Sequence, residues 1–100
     1  MLSFTPRESL TDGRGRPYFL WDCDLTLDQF REALRHSDPE VRSYFVGKVM
    51  RQAKPDDVFQ FVTPRTIRDL WPRLTRYLGN TREFWTWLFE TWEGQGRAWR

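Results

Sequence analysis

One cysteine and one histidine in 100 residues leave little material for several common chemistries. With Cys23 alone no internal disulfide forms, and a reducing compartment is the natural setting. His36 has no second histidine to share a metal ion with, and its place near a helix end reads as a surface position. Apolar runs are short: nowhere do ~18 apolar residues follow one another, as a membrane-crossing helix requires. Met1 to Leu10 lacks the basic-then-apolar pattern of a secretory leader, so the expected location is cytoplasmic. Charge of one sign is barely in excess, with 16 Lys and Arg against 14 Asp and Glu and a net charge of +2. That balance gives no compositional argument for nucleic acid. Residues 64–100 nevertheless hold seven basic against four acidic groups, so the surplus is C-terminal.

Aromatic residues are what the chain has in abundance: 17% of it, including six Trp and eight Phe. One hundred residues make one domain with one core, and large rings fill a small core efficiently. Residues 1–17, with Pro6, Gly13, Gly15 and Pro17 set among charges, predict a loosely held arm. The run Tyr18-Phe19-Leu20-Trp21 is too short for a helix and is expected to dock in extended form. From Thr26 onward the pattern is helical throughout. Thr26 with Gln29 forms a capping box, predicting a helix from Leu27 to about His36 with Leu27, Phe30 and Leu34 inward. Ser37-Asp38-Pro39 caps a second, reaching about Ala53, with a stripe at Val41, Phe45 and Val49. A short third helix is expected from Asp57 to Val62, its acidic start suiting the helix dipole. Thr63-Pro64 opens a fourth. On it Ile67, Leu70, Trp71, Leu74, Tyr77 and Leu78 share one arc, while Arg65, Arg68, Arg73 and Arg76 lie opposite. Pro72 falls on the polar side, where it either bends the helix around the core or breaks it at Trp71. Gly79 caps that helix, and Asn80 with Glu83 starts a fifth, ending near Glu93. The expectation is an all-α bundle of about five helices spanning residues 18–93, preceded by the arm and followed by a basic tail at 94–100.

The fifth helix carries Phe84, Trp85, Trp87, Leu88, Phe89 and Trp92, wider than the ~100° face that one core contact uses. Trp and Arg are enriched at binding hot spots, so Trp21, Trp85, Trp87, Trp92 and Trp99 are the candidate anchors for a protein partner or a second copy. The alternative is a nucleic-acid-binding regulator in which Arg65, Arg68, Arg73 and Arg76 track phosphates; Asp69 interrupts that row, and no Asn or Gln stands where a base edge would be read.

Residues 19–26, Phe-Leu-Trp-Asp-Cys-Asp-Leu-Thr, resemble the first motif of haloacid-dehalogenase-type phosphatases. The resemblance implies Asp22 as nucleophile and Asp24 as acid and base beside Mg²⁺. That chemistry sits on a parallel sheet, and here helix follows helix, with no later strand to carry a lysine or a second acidic pair. Asp22, Asp24 and Thr26 therefore read as turn and cap residues, Cys23 between two carboxylates is disfavoured as a thiolate, and the chain is expected to be no enzyme, with no metal and no cofactor. A second resemblance runs from Pro17 to Trp92, carried by Pro17-Tyr18-Phe19-Leu20-Trp21-Asp22-x-Asp24-Leu25-Thr26, Gly47, Asp57-Val58-Phe59 and Trp92. It is to a family of small all-helical bacterial proteins often encoded beside abortive-infection-type nucleotidyltransferase toxins. It implies an antitoxin-like role and no catalytic residue. Members usually carry an aromatic residue between the aspartates, where this chain has Cys23.

Overall fold

The computed structural model describes residues 4–94 and is built from helices, with no strand among them. In chain order these are α1 (Arg7–Leu10), α2 (Leu27–Ala33), α3 (Pro39–Gln52), α4 (Pro55–Val58), α5 (Pro64–Leu74) and α6 (Arg82–Gly94), with single 3₁₀ turns at Thr75–Tyr77 and Gly79–Thr81 between the last two. The predicted tail at 94–100, Trp99 included, lies outside the described residues apart from Gly94.

Local chemistry sets the helix starts. The Thr26 hydroxyl accepts from the Gln29 N–H while the Gln29 amide oxygen accepts from the Thr26 N–H, the reciprocal box that the spacing predicts. Asp38 caps α3 through the Glu40 N–H, and Thr63 caps α5 through the Thr66 N–H, each followed by proline at the first helical position. α2 stops at Ala33, short of His36, because Pro39 disfavours helical backbone at the residue before it and the chain must turn to reach the Asp38 cap. α4 begins at Pro55 and not at Asp57, and residues 59–62 continue it only as turns. α5 passes through Pro72 to Leu74. The proline ring is exposed, so it meets solvent and not the core.

The core is aromatic and aliphatic together. Phe19, Phe30 and Phe61 meet edge to face, with centroids 5.3–5.4 Å apart. Trp85, Phe89, Trp92, Phe59 and Trp71 form a second group between α5 and α6. Ile67, Leu70 and Leu74 of α5 are buried, as is Leu78 between the two 3₁₀ turns. α3 is the central element, packing on α2, α4, α5 and both 3₁₀ turns. At Gly47 it lies close against the turn that follows α5, where an added Cβ would stand 2.6 Å from Tyr77 Cβ. Among the described residues no helix is long and apolar enough to cross a membrane.

The N-terminal segment departs from the sequence-based expectation. Residues 4–17, predicted to be a loose arm, are packed onto the helices. Leu10 is buried, Thr11 and Pro17 form an antiparallel bridge, and the Leu27 N–H donates to the Gly15 carbonyl at 2.8 Å. Between them Asp12 organises the loop: its carboxylate accepts from the N–H groups of Arg14 and Arg16 and from the Arg16 guanidinium. Gly15 sits at φ 79°, a left-handed conformation that suits glycine.

Candidate functional site

Residues 18–21 do not dock in extended form. Two successive turns, closed by the Leu20 N–H on the Pro17 carbonyl and the Cys23 N–H on the Leu20 carbonyl, replace it. The reason is packing: an extended segment points neighbours to opposite sides, whereas Phe19 and Leu20 are adjacent and both buried. The turns put both into the core and leave Trp21 outside, 76% exposed.

Each flank of Trp21 is fixed. Before it, Tyr18 donates its hydroxyl to Asp57 at 2.6 Å and accepts from the Lys54 N–H. Burial, followed by the Asp57 carboxylate, pushes this phenol up to about 12. Asp57 itself is fully buried and also accepts from the Thr5 N–H, the Thr5 hydroxyl and the Gln60 amide. Burial alone would raise its carboxyl; the donors from Thr5, Tyr18 and Gln60 outweigh that and hold it below the usual carboxylate value. After Trp21, Asp22 accepts from the ammonium of Lys48 at 2.7 Å and from Gln52, whose amide also donates to the Phe19 carbonyl. Lys48 is 3% exposed, with its ammonium 5.6 Å from the centre of the Tyr44 ring. Its hydrogen bond to Asp22 is the main cause of the lowered Asp22 carboxyl.

Trp21 walls a groove of about 450 Å³ whose other side is the Asp12 loop, with Ser9, Arg16 and Tyr18 along it. That volume falls within the ~300–1,000 Å³ of ordinary ligand sites. Since the Asp12 loop and the Tyr18–Asp22 segment are each pinned by hydrogen bonds to side chains, the groove is preformed.

The remaining predicted anchors divide. Trp85 is a correction: it is 1% exposed, and its indole N–H donates to the Met50 carbonyl at 3.0 Å, so it belongs to the core and is closed to a partner. Trp92 is half-buried against Phe59 and Phe89. Trp87 is 59% exposed and lies beside the exposed Phe84, with centroids 6.3 Å apart. Arg65, Arg68 and Arg73 are exposed on α5, but the helix ends at Leu74, so Arg76 lies on the following 3₁₀ turn; Arg73 and Arg76 both pair with Glu40 of α3, to which Tyr77 also donates. That leaves Arg65 and Arg68 without a carboxylate partner among the described residues.

The two aspartates of the phosphatase-like motif are also separated in role. Asp22 faces Lys48, while Asp24 has a 91% exposed side chain 3.5 Å from Arg16. Burial, with Asp22 and Asp24 adding to it, pushes the Cys23 thiol up, and Lys48 offsets this only in part. Lys48, Gln52 and the Thr5–Asp57 joint were not singled out by the sequence. Lys48 stands inside an otherwise apolar stretch of α3, Val46 to Met50, every residue of which is buried, and that interruption was the available signal.

Comparison with protein-family models, with curated proteins and with solved structures returns no match for the chain.

Proposed function

We propose that this protein is a non-enzymatic binding module that receives another protein in the Trp21 groove, with Trp87 and Phe84 as a second contact. The observation that carries this reading is a 76% exposed indole whose neighbours on both sides are locked into the fold. An exposed ring on a free loop would lose its freedom on binding; here that loss is already met by folding, and interfaces draw their affinity from such preorganised anchors. Covering the exposed part of one indole returns about 3–4 kcal/mol at ~25 cal/mol per Å². The partner we propose is a nucleotidyltransferase of the abortive-infection type, on the resemblance of residues 17–92 alone. Assigning no catalysis to the chain is supported by the motif aspartates, which are engaged by two different cations, Asp22 by Lys48 and Asp24 by Arg16. The nucleic-acid alternative on α5 is weakened by Glu40, which neutralises half of the arginine row.

Trp21→Ala is expected to leave the unfolding free energy within about 0.5 kcal/mol of wild type, because the side chain supports nothing beneath it. It should weaken partner binding by ~2 kcal/mol or more, roughly thirtyfold. Affinity capture from the native host, comparing wild type, Trp21→Ala and Arg35→Ala, checks this. One protein retained by wild type and Arg35→Ala and lost by Trp21→Ala supports the reading; equal retention by all three contradicts it.

A further inference from the structure

A second cavity, of about 210 Å³, lies between α2, the first half of α3 and the turn that leads from Phe61 into α5. It is separate from the Trp21 groove and shares no residue with it. Three arginines line it, Arg31, Arg35 and Arg42, and no acidic side chain does. Two of the three are fixed by uncharged groups. The Arg42 guanidinium donates to the carbonyls of His36 at 2.7 Å and Ser37 at 3.1 Å, and the Arg31 guanidinium rests over the Phe61 ring at 5.0 Å. Both keep their charge uncompensated and further N–H donors unspent, since a guanidinium carries five. Arg35, at the rim, has an exposed pairing with Glu32 at 3.4 Å. Thr63 and Thr66 form part of the wall, and Leu34, Phe61 and Leu70 give it an apolar side.

Like charges held in place around one hollow, without a carboxylate among them, favour an anion that neutralises them. Guanidinium forks match phosphoryl oxygens in geometry as well as in charge. The volume is below the ~300–1,000 Å³ of sites for drug-sized ligands, so the ligand is small. We infer that this cavity binds a small phosphomonoester, its phosphoryl group between Arg31 and Arg42 and its apolar part against Leu34 and Leu70. The site is independent of the protein-binding reading and stands or falls separately from it.

The test is a titration of the full chain, followed by nuclear magnetic resonance at constant ionic strength, with inorganic phosphate, phenyl phosphate and an eight-nucleotide RNA as probes. Saturable shifts at the Thr63 and Thr66 amides and the Arg31 and Arg42 Nε–H signals are expected, with phenyl phosphate binding more tightly than inorganic phosphate. Arg31→Gln should weaken both by about tenfold, the loss of one charge-assisted contact. This variant removes a group that rests only on a ring face, so the fold should persist, and its amide spectrum verifies that. Non-saturating shifts, shifts spread over Arg65, Arg68 and Arg73, equal affinity for the two phosphates, or unchanged binding by Arg31→Gln would each overturn the assignment. Displacement of phenyl phosphate by the RNA at lower concentration would overturn it in favour of a nucleic-acid backbone.

Discussion

Asp57→Ala is expected to cost about 3–5 kcal/mol of stability, a large part of the ~5–15 kcal/mol that a small domain has. The carboxylate is fully buried and accepts four hydrogen bonds from three side chains and a backbone N–H, contributed by residues 5, 18 and 60. Its removal leaves those donors without an acceptor inside the protein, which is more expensive than never having made the bonds. It also frees the N-terminal segment, since the Thr5 N–H and hydroxyl both donate to Asp57 and Tyr18 loses its acceptor. Asp24→Ala, at a 91% exposed carboxylate, should change stability by less than about 1 kcal/mol. Urea unfolding of the two variants gives the comparison.

The same joint makes stability depend on pH in a defined direction. The Asp57 carboxyl is held below its ordinary value of 3.8 in the folded protein, so its contribution is complete above that value and is lost as pH falls through the lowered one. Asp12, Asp22 and Glu40 are lowered as well, by the backbone N–H of Arg16, by Lys48 and by Tyr77 respectively as leading causes. The acid-side slope should therefore be reduced, not abolished, in Asp57→Asn. Tyr18 acts at the other end: its pKa is raised, so its contribution is intact below 10.0 and is lost as pH climbs toward about 12.

Gly47→Ala is expected to destabilise by about 2 kcal/mol, which in a domain of this size lowers the melting temperature by roughly 10 °C. In an exposed helix the same change stabilises by about 1 kcal/mol, because alanine is the better helix former. Here the new methyl would stand 2.6 Å from Tyr77 Cβ and 3.3 Å from Leu74 Cδ1, and the first of these is the root of a side chain that cannot swing away. The 3₁₀ turn at Thr75–Tyr77 would have to retreat, taking with it the Tyr77 hydroxyl bond to Glu40. A thermal melt decides the sign, and a higher melting temperature would show that α3 and this turn are not in close contact.

The parts of the fold that were legible in the sequence are those encoded within a few residues. The Thr26, Asp38 and Thr63 caps depend on spacings of two to four and all of them form, while the α5 stripe forms as helix only to Leu74, and Tyr77 and Leu78, expected on the same helix, follow its end. What could not be read depends on contacts across long stretches of chain. Nothing local in Thr5 or Tyr18 announces an acceptor at Asp57, 52 and 39 positions away. So residues 1–17 read as an arm from their glycines and prolines, although several of those residues build the Asp12 loop. The site was half legible. Trp21 and Trp87 are exposed, yet Trp85 is core, because burial on α6 follows the spacing of Trp85, Phe89 and Trp92 and leaves Phe84 and Trp87 outside it. The spacing was visible, but which face meets α3 and α5 is decided by packing. Asp22 was read as a turn residue and proves to be the partner of a buried lysine, since only the fold brings residue 48 to it.

The most direct test of the proposed role is photo-crosslinking in the native host from a benzophenone side chain placed at Ser9, an exposed residue on the Trp21 groove. We expect one protein adduct that forms with Trp21 present and vanishes in the Trp21→Ala background, while probes at Arg35 yield none. Absence of an adduct at Ser9, or the same adduct with and without Trp21, would contradict a partner seated in that groove.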